Sequence, residues 1–199
     1  SAAFEPALDY VAVKAPRFDF ERFPGADRTL GTEMRAVGEA LGIGRTFPEA
    51  MLKALDGIEA GDALPEIPGL HPYFAAELES IRVAEREVAM TGDIAAAKRF
   101  GLPDARIAGI LGVTEGDVRA RRGPPGRLAV DSCAGEFEAR TPYYYLSHEQ
   151  GDGGAARPGA IVVLGSGTNR IGQGIEFDYC CVRAAQAFRR LGHEVVLVK

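Results

Sequence analysis

The tetrad Gly123-Pro124-Pro125-Gly126 constrains this 199-residue chain more than any other feature. Each of two successive prolines lacks a backbone donor and holds φ near −65°, so neither a helix nor a central strand runs through them. In front of the tetrad, back to Thr46, the apolar residues recur at helical spacing. Directly behind it, over 128–147, they do not. The chain therefore reads as an all-helical unit over 46–122, then extended structure. Two further breaks, 61–69 with Pro65 and Pro68 and the Gly/Ala-rich 151–159, read as linkers.

Within the helical unit the signals are local and specific. Thr46 is placed as an N-cap and Glu49, three residues on, completes a capping box. Met51, Leu55 and Ile58 then share a face, with Leu52 beside them. His71-Pro72 opens a second helix, because proline at the first helical position forfeits no hydrogen bond. Its stripe is Phe74, Leu78, Ile81 and Val88, between charges such as Glu77, Arg82 and Glu85. Shorter helices follow over 93–100, 103–111 and 114–121, separated by Gly101 and Gly112. Upstream, Leu8, Tyr10, Val11, Val13, Phe18 and Phe20 suggest one or two short strands, with Pro16 marking an edge or a break. Met34, Val37 and Leu41 predict a helix over 33–41, ended by Gly42 and Gly44.

Beyond the tetrad, Leu128, Val130, Phe137 and Tyr143-Tyr144-Tyr145 suggest extended backbone over 128–147. A strand at 160–164, a glycine-rich loop, a helix near 177–191 closed by Gly192 and a strand at 194–198 form a β-α-β half-unit, the opening of a parallel α/β domain. The loop reads GSGTNRIGQGIEFDY over 165–179. A dinucleotide fingerprint starting at Gly165 and Gly167 needs glycine where Arg170 stands, and no Gly-Lys-Ser/Thr follows for a P-loop. Its glycines serve either a tight strand-to-helix crossover or close approach of backbone N–H groups to a ligand.

Residues 106–122 have the pattern of a helix-turn-helix, with Arg119, Arg121 and Arg122 on the second helix. A DNA-binding regulator is the alternative this raises. Glu115 and Asp117 would then face bases and phosphates, and the formal net charge is −5, so a packed helical hairpin is preferred. The pairs Asp19/Glu21, Glu136/Glu138 and Glu176/Asp178 share a face only on a strand, and are read as solvated surface rather than acid/base or Mg²⁺ sites. His71, His148 and His193 lack a Ser or Cys partner at recognisable spacing. Three cysteines without C-x-x-C spacing favour reduced, cytoplasmic surroundings, with Cys180 and Cys181 as small apolar helix residues. No apolar run reaches the ~20 residues of a membrane span. No secretory leader is legible, and both ends read as cuts in something longer.

Three segments together resemble the large subunit of carbamoyl-phosphate synthetase. They are VKAPRFDFERFPGADRTLGTEMRAVGEALGIGRTFPEAMLKAL (13–55), VDSCAGEFEARTPYYYLSHE (130–149) and VLGSGTNRIGQGIEFDYCCVRAAQAFRRLGHEVVLV (163–198). The resemblance implies four parts: the tail of a first ATP-grasp half over 1–45, a helical oligomerisation domain over 46–127, a connection over 128–159, and the start of the second half over 160–199. The fold implied is thus a mainly α bundle followed by a parallel-sheet, Rossmann-like pre-ATP-grasp domain. It also implies an ATP-dependent ligase making carbamoyl phosphate from bicarbonate, glutamine-derived ammonia and two ATP, feeding arginine and pyrimidine synthesis. ATP, Mg²⁺ or Mn²⁺ and K⁺ serve the parent enzyme, and a glutaminase small subunit and other large-subunit copies are its partners. No catalytic, nucleotide or metal residue falls in this stretch, which alone is expected to be inert. Arg170, Gly174 and Glu176 are the implied tunnel-lining residues. Two departures stand out. Thr168 occupies a position where the family usually has Pro, and only 11 residues separate Glu59 from His71, where the family carries a longer helical insertion.

Overall fold

A computed structural model describes residues 9–59, 61, 64–133, 135–149, 157–165, 167–168 and 170–198. Leu8 and most of the 151–159 linker lie outside the described residues, as does part of 61–69. Strands β1 (Val11–Phe18) and β2 (Ala36–Gly44) form an antiparallel hairpin, joined through a 3₁₀ turn at Phe20–Arg22 and a bend at Pro24-Gly25. Helix α1 (Phe47–Gly57) packs on it. Helices α2 (Pro72–Thr91), α3 (Ile94–Phe100), α4 (Asp104–Leu111) and α5 (Glu115–Arg122) follow. Behind the proline tetrad, β3 (Gly126–Ala129) pairs antiparallel with β4 (Tyr144–Ser147). Then β5 (Ile161–Leu164), α6 (Ile175–Arg190) and β6 (Val195–Val198) make a β-α-β unit whose strands are parallel. The molecule is thus a mixed α/β structure with six helices and three two-stranded sheets among the described residues.

Residues 36–44 are strand, not the helix that Met34, Val37 and Leu41 predict. The reason lies on the other face. Gly38, Ala40, Gly42 and Gly44 alternate with larger residues and point inward, where α1 rests almost on the strand backbone. A Cβ on Gly42 would overlap the Ala50 carbonyl, and one on Gly44 would lie 2.8 Å from the Ala50 nitrogen. Val37 and Met34 are exposed instead. The apolar residues at helical spacing were the outward ones, and the sheet was decided by small residues that carry little hydrophobic signal. Pro16 sits within β1 without breaking it, because a two-stranded sheet has only edge strands.

Helix α1 serves two cores. Leu52 joins a cluster with Leu78, Ile81, Leu102, Ile107 and Val118 of the helical unit. Leu55 and Ile58 join Ala15 and Ala40 of the hairpin, and Met51 lies against both clusters. Thr46 Oγ1 accepts the Glu49 N–H at 3.3 Å as expected of the N-cap. The Glu49 carboxylate reaches one residue further back than the capping box requires, accepting the Arg45 N–H at 2.8 Å. A complete box forms instead at α5, where Thr114 and Asp117 exchange both bonds. In α2, His71 Nδ1 caps the Tyr73 N–H, Leu78, Ile81 and Val88 are buried, and Phe74 is instead partly exposed beside Phe47 and Tyr73.

A half-buried triad ties the short helices together. Asp104 of α4 receives Lys98 Nζ at 2.8 Å and Arg122 Nε at 2.8 Å, so one carboxylate joins α3, α4 and α5. Burial raises the Asp104 carboxyl, but the hydrogen bonds from Lys98 and Arg122 outweigh it and hold its pKa below the ordinary value.

Candidate functional site

The glycine-rich loop leaves β5 at Leu164 and returns to helix at Ile175, with Gly174 as N-cap in an extended conformation. Gly167 and Gly172 have positive φ (82° and 75°), the backbone freedom that the crossover requires. Of the three residues assigned to the loop's function, Gly174 and Glu176 come together. The Glu176 carboxylate folds over the Gly174 Cα, into the place a Cβ would occupy. Arg170 points elsewhere, to Asp56 at the end of α1, with 3.2 Å between Nη2 and Oδ2. All three side-chain positions are exposed.

Glu176 rims an open depression of about 310 Å³ formed by Leu164, Gly165, Phe177, Cys180 and Cys181. Its chemistry is unlike that of a phosphate cradle. Glu176 and Asp178 stand in the first turn of α6, where their negative charge offsets the positive helix end that an anion would use. The walls are apolar. Cys180 is exposed and Cys181 half-buried, with its Sγ 3.9 Å from the Leu164 carbonyl, so the expected helix is present but the thiols line a surface rather than a core. Leu164 and Phe177 were not singled out from sequence, and alternation in β5 together with the α6 stripe is the signal that names them.

Arg45 anchors a second polar centre. Its guanidinium reaches the Asp9 carboxylate at 3.3 Å and Glu149 at 3.1 Å, and its Cζ lies 5.5 Å from the Tyr145 ring centroid. Asp9 also accepts the Asp131 N–H at 2.8 Å and the Tyr145 hydroxyl at 3.3 Å. Burial, and then the Asp9 charge, push the Tyr145 phenol up to about 12. Arg45, Asp9 and Tyr145 join segments far apart in sequence, which suits a structural staple, while Arg45 Nε is buried without a hydrogen-bond partner among the described residues. Nearby, burial, then Lys98 and Arg122, lower the His148 pKa, against the opposing pull of Asp104 and Glu49.

The helix-turn-helix pattern at 106–122 folds as the helical hairpin α4–α5. Of its three apparent DNA-facing arginines, Arg119 and Arg121 are exposed and Arg122 is turned into the packing. Arg122 is held by Asp104 and donates to the Gly123 carbonyl at 2.6 Å, while Arg106 pairs with Glu85 of α2. The DNA-binding alternative has no support: the arginine closest to the hairpin is spent on its own packing, and acidic Glu115 and Asp117 remain at the helix start. His193 packs its ring edge against Phe188, and Asp19 pairs with Arg22. Glu136 and Glu138 are exposed. No described helix is long and apolar enough to cross a membrane.

Comparison with known proteins places this geometry. Residues 157–199 match the carbamoyl phosphate synthase preATP-grasp domain. The carbamoyl phosphate synthase large chain of Rubrobacter xylanophilus is 42% identical over 234 residues, a match covering 99% of this chain and 22% of that protein. The large chain of Streptomyces griseus is 41% identical over 248 residues, covering 99% and 22%. That of Deinococcus deserti is 39% identical over 248 residues, covering 99% and 24%. This chain thus spans less than a quarter of the length of these curated relatives. The matched spans exceed its 199 residues, so the relatives carry internal residues that it lacks. Along almost its whole length the chain thus matches a fragment of the carbamoyl phosphate synthase large chain.

Proposed function

We propose that this chain is the joint between the two synthetase halves of a large subunit that makes carbamoyl phosphate from bicarbonate, glutamine-derived ammonia and two ATP. The observation that carries this is the match to carbamoyl phosphate synthase large chains over 99% of the residues. In this reading 1–45 are the tail of the first ATP-grasp half, 46–127 the helical oligomerisation domain, 128–159 the connection and 160–199 the start of the second, pre-ATP-grasp half. The shortened stretch between Glu59 and His71 is where the relatives' additional residues belong. The parent enzyme is a cytoplasmic ligase of arginine and pyrimidine synthesis. It works with a glutaminase small subunit and with other copies of the large subunit, and it binds ATP, Mg²⁺ or Mn²⁺ and K⁺ outside this stretch.

The loop's part is passage rather than chemistry. Carboxyphosphate and carbamate decompose in water, so they must travel between the halves without meeting solvent. Gly174 supplies space because it has no side chain, Glu176 gives the wall its charged edge, and Arg170, paired with Asp56, holds the loop from outside the depression. An apolar, acid-rimmed depression with no phosphate cradle supports a conduit better than a nucleotide site. In a complete large subunit, Gly174→Phe should raise the ATP hydrolysed per carbamoyl phosphate formed. Unchanged stoichiometry would remove Gly174 from the passage. The 199-residue chain alone should hydrolyse no ATP and give no calorimetric heat with Mg-ATP, and a tight binding isotherm would contradict its role as a non-catalytic joint.

A further inference from the structure

The glycine-rich loop is fastened to the far end of the chain at three neighbouring positions. The Thr168 hydroxyl donates to the Leu41 carbonyl of β2. Arg170 pairs with Asp56 of α1 at 3.2 Å. The Ile171 N–H donates to the Gly57 carbonyl at 3.0 Å, and its side chain packs against the hairpin cluster of Ala15, Ala40, Ala54, Leu55 and Ile58. The seat for that side chain is a gap at Gly38, where a Cβ would lie 2.8 Å from Ile171 Cδ1. Gly38 is not in the left-handed region, so it is needed there for volume and not for conformation.

The three contacts differ in what they can fix. The Arg170 pair is exposed on both sides, and such pairs add little because water screens them and two long side chains must be ordered. The two hydrogen bonds hold the loop near β2 and α1. A branched side chain filling a gap shaped by a missing Cβ sets one position, because close-packed interiors tolerate neither an extra methyl nor a void without movement. We infer that Ile171 is a positioning residue: a knob seated in the Gly38 gap of β2 that sets the glycine-rich loop, and with it Gly174 and Glu176, against the β1–β2–α1 unit. Its functional consequence rests on the passage reading above. A wall that shifts relative to the first half opens the passage to water and lets intermediates escape.

The test exploits the atom in the gap. In the 199-residue chain, Gly38→Ala should speed exchange of the Ile171 amide about tenfold, since overpacking by one methyl unseats the knob. Ile171→Val removes the very atom that the new Cβ meets. Combined with Gly38→Ala it should return exchange to within about twofold of the starting protein, a coupling expected only for groups in direct contact. Thr168→Val, which leaves the hairpin untouched, should speed the same amide and covers the case in which Gly38→Ala does not fold. A double variant no better protected than Gly38→Ala, or Thr168→Val and Ile171→Ala both without effect on that amide, would overturn the seat. In a complete large subunit, Ile171→Ala should raise ATP hydrolysed per carbamoyl phosphate and Ile171→Val should recover most of it. If Gly174→Phe uncouples but Ile171→Ala does not, the positioning role is wrong. If neither uncouples while the exchange compensation holds, the seat stands and it is the passage reading that fails.

Discussion

The helical unit α2–α5 and the β5–α6–β6 unit are built from similar fractions of apolar sequence yet end in opposite states. In the first, Ile81, Leu102, Ile107 and Val118 are fully or almost fully enclosed, and the charged groups between helices meet in the Asp104 triad. In the second, Ala185 and Val195 alone are buried among the described residues, while Ile175, Leu164 and Leu191 are each more than 70% exposed. Three short helices can close a core around one long one. Two parallel strands and one helix cannot, because a parallel sheet needs cover on both faces and further strands at its edges. The difference teaches which part of the chain holds itself together and which depends on neighbours, and the Ile171 contact is one such neighbour.

Several substitutions would sharpen or break that contrast, beginning with the largest effect. Ile107→Ala should cost about 4 kcal/mol in urea unfolding, the loss of a fully buried side chain plus its cavity. Asp104→Asn should cost about 3 kcal/mol at neutral pH, because Lys98 and Arg122 are then left half-buried without their carboxylate. Thr114→Ala, which removes the α5 cap, should cost about 1 kcal/mol. Leu164→Ala, at an exposed position of β5, should shift stability by less than about 0.5 kcal/mol. An Ile107→Ala effect as small as that of Leu164→Ala would erase the distinction between the two units.

Acid should act on the helical side of the comparison. The His148 pKa is lower in the folded chain than the free value of 6.5, so the unfolded state binds the proton more readily. Stability from this group is present above about pH 6.5 and is lost as pH falls below it. Asp104, also lowered, adds a loss at more acidic pH, as its carboxylate is protonated below the range of free carboxyls. His148→Gln should flatten the stability profile just below pH 6.5 and leave the more acidic limb in place. An unchanged slope just below pH 6.5 would remove His148 as its source.

The helices were legible because their stop signals are chemical. Pro72 starts α2, and Gly101, Gly112 and the proline tetrad stop helices, each through backbone geometry local to the residue. Strand β2 was not legible, since its buried face is Gly and Ala and its pairing partners in β1 lie 18 to 33 residues away in sequence. At the site, the glycine-rich loop was legible from its own spacing, and Gly174 and Glu176 were named through family likeness. The seat for Ile171 was not, because the informative residue is the absent side chain of Gly38, which becomes meaningful only when α1 and the loop are brought beside it.

Residue-resolved hydrogen exchange on the 199-residue chain tests the central contrast most directly. Amides of α2 and α4, bonded within an enclosed core, should open only with global unfolding. Those of α6 should open at a lower free energy that does not follow global stability when Ile107→Ala is introduced. Equal protection of α6 and α4, falling together in Ile107→Ala, would show one cooperative unit and contradict the account of a self-closed helical domain joined to an α/β opening that needs partners.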